Sequence, residues 1–356
     1  MIHYSCIGAT GYVCGEVLRM MVNHHEGELV NVLDTYGVGD AISTHHPALR
    51  GFYDQVIMDL TEENVRETAK KSDVIMIQVP SGDVAKWAEI VLAEDCAIID
   101  IGADIRFRDV DVWEKWYGQK HPDAKMTHDA VYCIPEVMRD LAKGKKLIAN
   151  PGCYPTASTL GLQPMLKAGH IVDNTIVIDA KSGYTGAGRR PALNKLLTEA
   201  ENNFCAYALG GHRHTPEIEQ NIAYITGKDL MKPETWQYIN FQPHLLPQVR
   251  GIEVTIYATC DRDFTNEEVY ELYKDFYKDE PFVKVFPASL PVQTKWVYGT
   301  NFCEMTPTFD ARTHRLIVSS VIDNIGKGAA GQAIQNMNLI MGLPETTGLM
   351  MPPMYP

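Results

Sequence analysis

Cys153 follows a segment that predicts a sharp turn at the start of a helix. The sequence Asn150-Pro151-Gly152 comes after a strand-like run and before the helix-like run 157–167. A Pro-Gly pair favours a turn, and Pro155 suits a first helical position. The free backbone amides at a helix N-terminus stabilise a thiolate, which can attack an acyl carbon, and can hold the resulting oxyanion. The alternative interpretation is a buried inert thiol, the commoner fate of a cysteine.

The best proton-transfer partners for this thiol lie in the segment His-Arg-His-Thr-Pro-Glu at 212–217. Thr215 can cap a helix that begins one residue later, with His212 and His214 just outside it. Glu217, three residues after His214, could orient its imidazole and complete a Cys/His/acid arrangement. A His-x-His metal pair and ordinary surface histidines are the alternatives. No third ligand is recognisable nearby, so we expect no metal.

Two arginine-bearing segments are candidate anion sites. Arg106 and Arg108 follow the strand-like run 97–101, and the glycine-rich loop 182–190 ends in two arginines. Arginine forks match carboxylate and phosphate geometry. Taken singly, each of these arginines is more often a solvated surface charge.

The glycine-rich segment 7–15, Ile-Gly-Ala-Thr-Gly-Tyr-Val-Cys-Gly, joins the first strand-like run to the first helix-like run. Glycines let the backbone approach a pyrophosphate, and the helix N-terminus supplies amide donors and partial positive charge. The spacing GxxGxxxG is weaker evidence than GxGxxG, but the strand-to-helix context is the required one. A plain tight turn is the alternative.

Asp34 lies at the expected end of the second strand, 19 residues beyond Gly15. An acid there can accept from a ribose 2′-hydroxyl, which favours NAD, whereas Thr35 could serve the 2′-phosphate of NADP. Asp34 could equally cap a turn. These three interpretations stay open from the sequence.

The order of strand-like and helix-like runs around these residues predicts an α/β protein. Strand-like runs alternate with helix-like runs before residue 150, which predicts a Rossmann-type parallel sheet. After Pro151 the strands cluster, which predicts an α+β domain with a mixed, largely antiparallel sheet. The first set of strands is 2–7, 29–33, 74–79, 97–101 and 146–149, and the second is 175–181, 238–246, 252–260, 301–309 and 316–322. The helices are 15–22, 62–71, 83–93, 157–167, 191–203, 217–226, 266–277 and 327–341.

Length and composition limit the class of protein. The 356 residues are enough for about two domains, and a net charge of −13 argues against nucleic acid as a partner. No run approaches the roughly 18 apolar residues of a membrane span, and no leader precedes the first strand. The eight cysteines show no CxxC pair, which favours a reducing compartment. We therefore expect a cytoplasmic protein.

Several sequence blocks together resemble the N-acetyl-gamma-glutamyl-phosphate reductase family, which is related to glyceraldehyde-3-phosphate and aspartate-semialdehyde dehydrogenases. The cysteine block IANPGCYPTASTLGLQP and the histidine block GHRHTPEI are highly specific. The other blocks are GATGYVCGEVL, IDIGADIRFRD, VYCIPE, SGYTGAGR and DNIGKGAAGQAIQNMN. The resemblance spans nearly the whole chain in the expected order.

The resemblance implies residue roles. The nucleophile falls on Cys153, and the proton-transfer histidine falls on His214 in preference to His212, with Glu217 beside it. Substrate contacts are implied for Arg106, Arg189 and Arg213. Cofactor contacts are implied for Gly8, Thr10, Gly11, Tyr12, Gly15, Thr35, Ser182, Gly183, Gly186 and Asn324. Asp-Thr at 34–35 replaces the Ser-Arg often seen there, so NADP(H) is expected while NAD is not excluded.

The resemblance also implies an organisation and a reaction. Residues 1–150 and 327–356 would form the dinucleotide-binding domain, and 151–326 the catalytic and oligomerisation domain of a homodimer or homotetramer. The reaction is NADPH-dependent reduction of a small acyl phosphate to an aldehyde, through a cysteinyl thioester, in arginine biosynthesis. The alternatives are the same chemistry on a carrier-protein-bound aminoadipyl or glutamyl phosphate, or on aspartyl phosphate. A nucleotide-sensing protein without catalysis is the alternative of another class.

Overall fold

The computed structural model describes residues 1–354, which form two compact units. Unit 1 comprises Met1–Pro151 and Ala329–Met351, and unit 2 comprises Gly152–Gly328 and the tail from Pro352. The sequence predicts 327–356 as part of the nucleotide-binding domain. In the structure 329–351 belong to unit 1, whereas residues up to Gly328 and the tail from Pro352 belong to unit 2. The backbone N–H of Met354 donates to the carbonyl of Tyr298 at 3.0 Å, which ties the tail to that unit.

Unit 1 contains a parallel seven-stranded sheet of order β3-β2-β1-β4-β5-β7-β6. Its strands are β1 (Ile2–Ile7), β2 (Gly27–Asp34), β3 (Ile57–Asp59), β4 (Val74–Ile77), β5 (Ala97–Asp100), β6 (Val131–Tyr132) and β7 (Leu147–Ala149). The five predicted strands and their parallel pairing are confirmed. The order reverses at β1, the position where open parallel sheets bind ligands at the carboxyl ends of their strands.

Unit 2 contains a mixed seven-stranded sheet of order β12-β13-β14-β11-β8-β10-β9. Its strands are β8 (Val177–Ser182), β9 (Cys205–Ala206), β10 (Asn240–Leu245), β11 (Ile252–Thr259), β12 (Val283–Val285), β13 (Cys303–Asp310) and β14 (Arg315–Ile322). The pairs β8–β10 and β12–β13 are parallel and the others antiparallel. The predicted mixed sheet is confirmed.

Across residues 1–354 the α-helices are, in chain order, α1 (Tyr12–Met21), α2 (Ile42–His45), α3 (Glu62–Ala69), α4 (Val84–Ala93), α5 (Val110–Tyr117), α6 (Ala124–Asp129), α7 (Pro135–Ala142), α8 (Cys153–Lys167), α9 (Leu197–Ala200), α10 (Thr215–Ile225), α11 (Asn266–Phe276) and α12 (Gly331–Ile340). A π-helical turn, Gly326–Ala330, precedes α12.

Helix α8 packs against the sheet of unit 2 and is buried along almost its whole length. Gly161 permits this close packing, because a Cβ there would lie 2.7 Å from Cδ1 of Ile256 on β11. The hydroxyl of Tyr273 on α11 donates to the Gly161 carbonyl at 2.7 Å. The helix that begins with Cys153 is therefore fixed on two sides.

The predicted helix over 191–203 is wrong. That segment forms a 3₁₀ turn at Leu193–Lys195 and the four-residue helix α9. Leu193 and Leu197 are each 73% exposed. A short amphipathic segment needs a packed apolar face to hold a helix, and here none is buried.

Candidate active site

Cys153 is the first residue of α8 in unit 2. Gly152 caps the helix in an extended conformation with φ −71° and ψ 156°, and its carbonyl accepts from both N–H and Oγ1 of Thr156. The helix begins two residues earlier than Pro155 suggested, and Pro155 is accommodated because the first helical turn needs no donor there. Six of the other cysteines are buried, whereas Cys153 is half-buried. Its thiol is therefore at a helix N-terminus and within reach of a ligand.

The carboxylate of Glu217 on α10 supports this turn. Glu217 is fully buried, and its Oε1 accepts a hydrogen bond of 2.8 Å from the backbone N–H of Gly152. A buried amide without an acceptor is costly, so the bond fixes the residue that precedes Cys153. The expected orientation of His214 by Glu217 stays a prediction beside this observed contact.

Gly328 packs directly against the cysteine. A Cβ at position 328 would lie 2.7 Å from Cβ of Cys153 and 3.2 Å from its Cα. The backbone N–H of Gly328 donates to the Asp323 carbonyl at 2.9 Å. A side chain at 328 would displace Cys153, so this glycine is part of the thiol's immediate surroundings.

His212 is held as a neutral ring. Its Nδ1 accepts the backbone N–H of His214 at 3.1 Å, so the ring proton is on Nε2. Burial, reinforced by the positive charge of Arg213, lowers the pKa of His212 to about 4. A histidine with this pKa and this acceptor bond is a poor proton donor near neutral pH.

Tyr154, the residue after Cys153, holds both imidazoles by ring packing. Its ring centroid lies 5.8 Å from that of His212 and 5.9 Å from that of His214, both in edge-on geometry. Phe241 on β10 packs on the same ring at 5.3 Å. Burial raises the pKa of Tyr154 well above its usual range, so it acts as a neutral aromatic wall. His214 itself is the N-cap of α10, which begins at Thr215 and not at the next residue.

The glycine-rich turn of unit 1 has the geometry of a phosphate cradle. Gly8 has φ +92°, and a Cβ there would lie 2.2 Å from the Gln78 carbonyl oxygen. Gly11 caps α1, whose first-turn amides have no acceptor within the helix. A Cβ at Gly15 would lie 2.5 Å from the ring of His46. These residues fit a dinucleotide, because a bare backbone and a helix N-terminus meet there.

Asp34 closes this turn. Its Oδ2 accepts from the backbone N–H and the hydroxyl of Thr10, both at 2.8 Å, and its Oδ1 accepts from the N–H groups of Thr35 and Tyr36 at 2.7 and 3.2 Å. Of the three sequence interpretations, the turn-capping one describes these bonds. Thr10 donates its backbone N–H and its hydroxyl to Asp34, and its contact with the cofactor stays a prediction.

Arg106 of unit 1 is almost fully buried, 6% exposed. Its Nε donates to the Asn150 carbonyl at 2.9 Å, and one terminal nitrogen donates to the Ile101 carbonyl at 3.2 Å. These bonds join the ends of β5 and β7. Asp100, at the end of β5, is also fully buried, and burial together with the charge of Asp104 raises its pKa to about 7. The substrate role of Arg106 stays a prediction.

The predicted cofactor loop of unit 2 is tied down through Asn324. Its Oδ1 accepts from Gly251 N–H at 2.8 Å, and its Nδ2 donates to the Thr185 hydroxyl at 2.9 Å. Gly183 is required, since a Cβ there would lie 2.8 Å from the backbone of Val249 and Arg250. Ser182 is buried, and its hydroxyl donates to the carbonyl of Gly183. Gly186, by contrast, is exposed, as are two of the predicted substrate arginines, Arg189 and Arg213.

Sequence reasoning missed several supporting residues. Nε2 of His46 lies 2.8 Å from the Ala9 carbonyl and so donates to the glycine-rich turn. Tyr154 packs on the two imidazoles, and Gly328 packs on Cys153. The aromatic residue next to the nucleophile was visible in the sequence, but neither His46 nor Gly328 is near its partner in sequence. Such pairs are recognised only in three dimensions.

Within residues 1–354, no group of three or more His, Cys, Asp or Glu side chains is arranged to hold a metal ion. Over the same residues, every helix is too short or too polar to cross a bilayer.

Comparison with known proteins gives matches over the whole chain. The family model "Semialdehyde dehydrogenase, NAD binding domain" matches residues 5–145, and "Semialdehyde dehydrogenase, dimerisation domain" matches 153–324. The chain is 44% identical over 356 residues to the N-acetyl-gamma-glutamyl-phosphate reductase of Desulforudis audaxviator (strain MP104C), and 41% identical to that of Moorella thermoacetica (strain ATCC 39073 / JCM 9320). Each alignment covers 100% of both proteins.

Solved structures share the fold at low identity. An aspartate semialdehyde dehydrogenase II from Vibrio cholerae, complexed with ASA, has a TM-score of 0.71 at 16% identity, over 96% of this chain and 98% of that one. An aspartate semialdehyde dehydrogenase with NADP from Candida albicans has a TM-score of 0.67 at 13% identity, over 95% and 98%. At these identities the likeness establishes the fold.

Proposed function

Because the chain belongs to the N-acetyl-gamma-glutamyl-phosphate reductase family, we propose that it reduces N-acetyl-gamma-glutamyl phosphate to N-acetylglutamate 5-semialdehyde through a thioester on Cys153. The reaction belongs to arginine biosynthesis, and the enzyme is an NADP-dependent oxidoreductase. The observation that carries the proposal is the half-buried thiol at the first residue of α8. Two imidazoles packed on the next side chain support it.

The first half-reaction is acyl transfer to sulfur. The helix N-terminus favours the thiolate of Cys153, which attacks the acyl carbon and expels phosphate with the electron pair of the broken C–O bond. Amides of the first turn of α8 can hold the oxyanion that forms during the attack. The Glu217 bond to Gly152 keeps this turn in one conformation. The product is a thioester, whose carbonyl accepts hydride more readily than a carboxylate does.

The second half-reaction converts the thioester to the aldehyde. Reduced nicotinamide, when bound, supplies the hydride. His214 protonates the developing oxyanion and takes the proton back as the carbon–sulfur bond breaks, which returns Cys153 to its thiolate. We assign this role to His214 because His212 is neutral, with Nδ1 already accepting the His214 amide. His212 is then a positioning residue.

The NADP(H) site would be built from the glycine-rich turn of unit 1. Gly8, Gly11 and Gly15 provide the backbone approach, and the first-turn amides of α1 from Tyr12 onward face the phosphates. Thr35 would meet the ribose. From unit 2 we assign the loop of Ser182, Gly183 and Gly186, which Asn324 braces. The match to an NAD-binding family domain supports a nicotinamide dinucleotide, and the choice of NADP is part of the proposal.

The substrate is an anion with a phosphate and a carboxylate, so arginines must meet it. We assign Arg189 and Arg213, which are exposed cations beside the glycine-rich loop and the histidines in sequence. We also assign Arg106, whose fork already braces the carbonyls of Ile101 and Asn150. Such a site would be locally positive, although the whole chain has a net charge of −13.

We further propose a homodimer or homotetramer in the cytoplasm. The match to a family dimerisation domain over 153–324 supports a homo-oligomer. The eight cysteines are all unpaired, which is typical of a reducing compartment.

The test is an assay of the purified chain in the oxidative direction. N-acetylglutamate 5-semialdehyde, phosphate and NADP⁺ should give absorbance of reduced cofactor, with kcat/KM at least about a hundredfold above that for aspartate semialdehyde. Higher activity with aspartate semialdehyde, or activity confined to a carrier-bound aldehyde, would assign the same chemistry to another substrate. Nucleotide binding without turnover of any of these aldehydes would support a nucleotide-sensing protein and contradict the proposal.

A further inference from the structure

Unit 2 contains a buried ion pair, between Arg250 and Asp323, that the proposed reaction does not use. The side chain of Arg250 is 11% exposed, and that of Asp323 is fully buried. The Nε of Arg250 lies 3.0 Å from Oδ2 of Asp323, and its Nη2 donates to Oδ1 at 3.2 Å. The two residues flank paired strand ends, because Ile252 of β11 pairs with Ile322 of β14. A bidentate pair of this kind fixes orientation as well as distance.

The Asp323 carboxylate organises the segment that follows β14. Its Oδ1 accepts from the backbone N–H groups of Ile325 and Gly326, both at 3.0 Å, and its Oδ2 accepts from that of Gly299 at 2.6 Å. Three amides and the arginine therefore donate to one buried acid. Because a buried amide without an acceptor is costly, the acid fixes the start of the π-helical turn Gly326–Ala330.

The main chain of Asp323 connects this acid to the nucleophile. The Asp323 carbonyl accepts the N–H of Gly328 at 2.9 Å, and Gly328 packs on Cys153. The carboxylate and the carbonyl of one residue therefore hold both ends of the segment 325–328. Without the arginine this segment would be free to shift, and its contact with Cys153 would shift with it.

The Arg250 side of the pair supports the glycine-rich loop of unit 2. Three backbone N–H groups of residues 183–185 donate, at 2.9 to 3.0 Å, to carbonyl groups on both sides of Arg250, namely those of Gln248, Val249 and Gly251. The loop assigned to the cofactor is therefore attached to the segment that carries Arg250. The ion pair links this segment to the one that contacts Cys153.

We propose that the Arg250–Asp323 ion pair is a positioning element of the active site, which holds Gly328 against Cys153 and fixes the nucleophile relative to the cofactor loop. Its consequences for turnover rest on the proposed function, whereas its effect on the thiol does not. A buried ion pair by itself is weak evidence for stability, so the bonds from Asp323 to the segment 325–328 give the pair its role. Lysine at position 250 keeps the charge but loses the planar fork.

Alkylation of the purified chain by iodoacetamide, without substrate or nucleotide, tests the effect on the thiol. Peptide mass spectrometry separates Cys153 from Cys205, the other half-buried cysteine, which serves as an internal reference. Arg250→Lys should raise the limiting alkylation rate of Cys153 at high pH about fivefold, because Gly328 no longer packs firmly on it. The midpoint of the pH profile should move by less than about 0.3 units, because the positive charge and the N-terminus of α8 are both retained. The rate at Cys205 should be unchanged.

Steady-state kinetics of the proposed reaction test the same link in turnover. We expect kcat to fall about tenfold in Arg250→Lys and about a hundredfold in Arg250→Met, which leaves the acid without a cation. Lys284→Met is the matched control, because it removes the cation 3.1 Å from Glu304, another buried acid of unit 2. Lys284 lies on the edge strand β12, and its replacement should leave kcat and Cys153 alkylation within about twofold of the original values.

Two results would overturn the inference. One is an unchanged alkylation rate of Cys153 in Arg250→Lys, and the other is an equal acceleration at Cys153 and Cys205, which would indicate general loosening of unit 2. If Arg250→Met does not fold, as judged by circular dichroism, Arg250→Lys against Lys284→Met decides the positioning role. A chain that turns over none of the aldehydes while these alkylation results hold would count against the proposed function alone.

Discussion

The buried carboxylate of Glu217 accepts a hydrogen bond of 2.8 Å from the backbone N–H of Gly152, the residue before Cys153. The first turn of α10 is thereby joined to the first turn of α8. The sequence separation of 65 residues hides this relationship from any local pattern. Glu217 therefore helps to position Cys153, in addition to any contact that its carboxylate makes with an imidazole.

Two replacements of Glu217 should distinguish the effect of its hydrogen bond to Gly152 from the effect of its negative charge. Glu217→Ala leaves the buried Gly152 amide without its acceptor, which should cost about 2 kcal/mol of unfolding free energy and lower kcat by about a hundredfold through the misplaced thiol. Glu217→Gln keeps an acceptor oxygen and should lose less than about 1 kcal/mol. Urea unfolding and steady-state kinetics measure both, and equal stability of the two variants would contradict the bond's importance.

The two histidines should respond differently to amide replacements. The Oδ1 of Asn can replace the Nδ1 acceptor, so His212→Asn should retain kcat within about tenfold of the original enzyme. His214→Gln keeps polarity but cannot transfer a proton, and its kcat should fall by about a hundredfold or more. Measured kcat values decide the assignment. The reverse ranking of the two variants would transfer the proton-transfer role to His212.

Acid should destabilise the protein through His212. Its pKa is about 4 in the folded chain and about 6.5 unfolded, so the unfolded state binds more protons between these values. Stability from this group is complete above about pH 6.5 and falls as the pH approaches 4. Lowering the pH from 7.5 to 4.5 should cost the original protein about 2 kcal/mol more than His212→Asn, measured by urea unfolding. Parallel losses in both proteins would show that His212 does not titrate as described.

Gly328→Ala should disturb the nucleophile specifically. Its Cβ would lie 2.7 Å from that of Cys153, so the cysteine must shift, and kcat should fall by about a hundredfold with an altered rate of thiol alkylation by iodoacetamide. Gly211→Ala is the matched control, because the nearest atom to a Cβ there, the carbonyl oxygen of Leu209, would be 4.0 Å away. If kcat and the alkylation rate are unchanged in Gly328→Ala, the backbone at residue 328 can move away from Cys153 without disturbing it, which would contradict this prediction.

Strongly patterned elements were predictable from the sequence. The apolar runs of β1, β4 and β5 and the alternation along β11 mark strands, and the Pro-Gly turn before Cys153 marks a helix start. The strands β6 and β9 were missed because two residues carry no periodic signal. The helix predicted over 191–203 failed because its leucines find nothing to pack against.

The roles of individual site residues depended on contacts distant in sequence. From its position Asp34 could accept from a ribose hydroxyl or cap a turn, and only the structure shows its four hydrogen bonds to the turn. The sequence resemblance favours His214 over His212 for proton transfer, and the hydrogen bond from the His214 backbone amide to Nδ1 of His212 distinguishes the two rings. Residue type and spacing identified the candidate groups, whereas hydrogen-bond partners determined their protonation and orientation.

The central claim is a covalent acyl group on Cys153, and intact-protein mass spectrometry after rapid acid quench tests it most directly. Purified chain mixed with N-acetyl-gamma-glutamyl phosphate, without nucleotide, should gain one N-acetylglutamyl group per chain and release one equivalent of phosphate. Hydroxylamine should remove the group, and Cys153→Ser should gain none. Phosphate release that requires NADPH, with no acyl adduct at any quench time, would contradict the account.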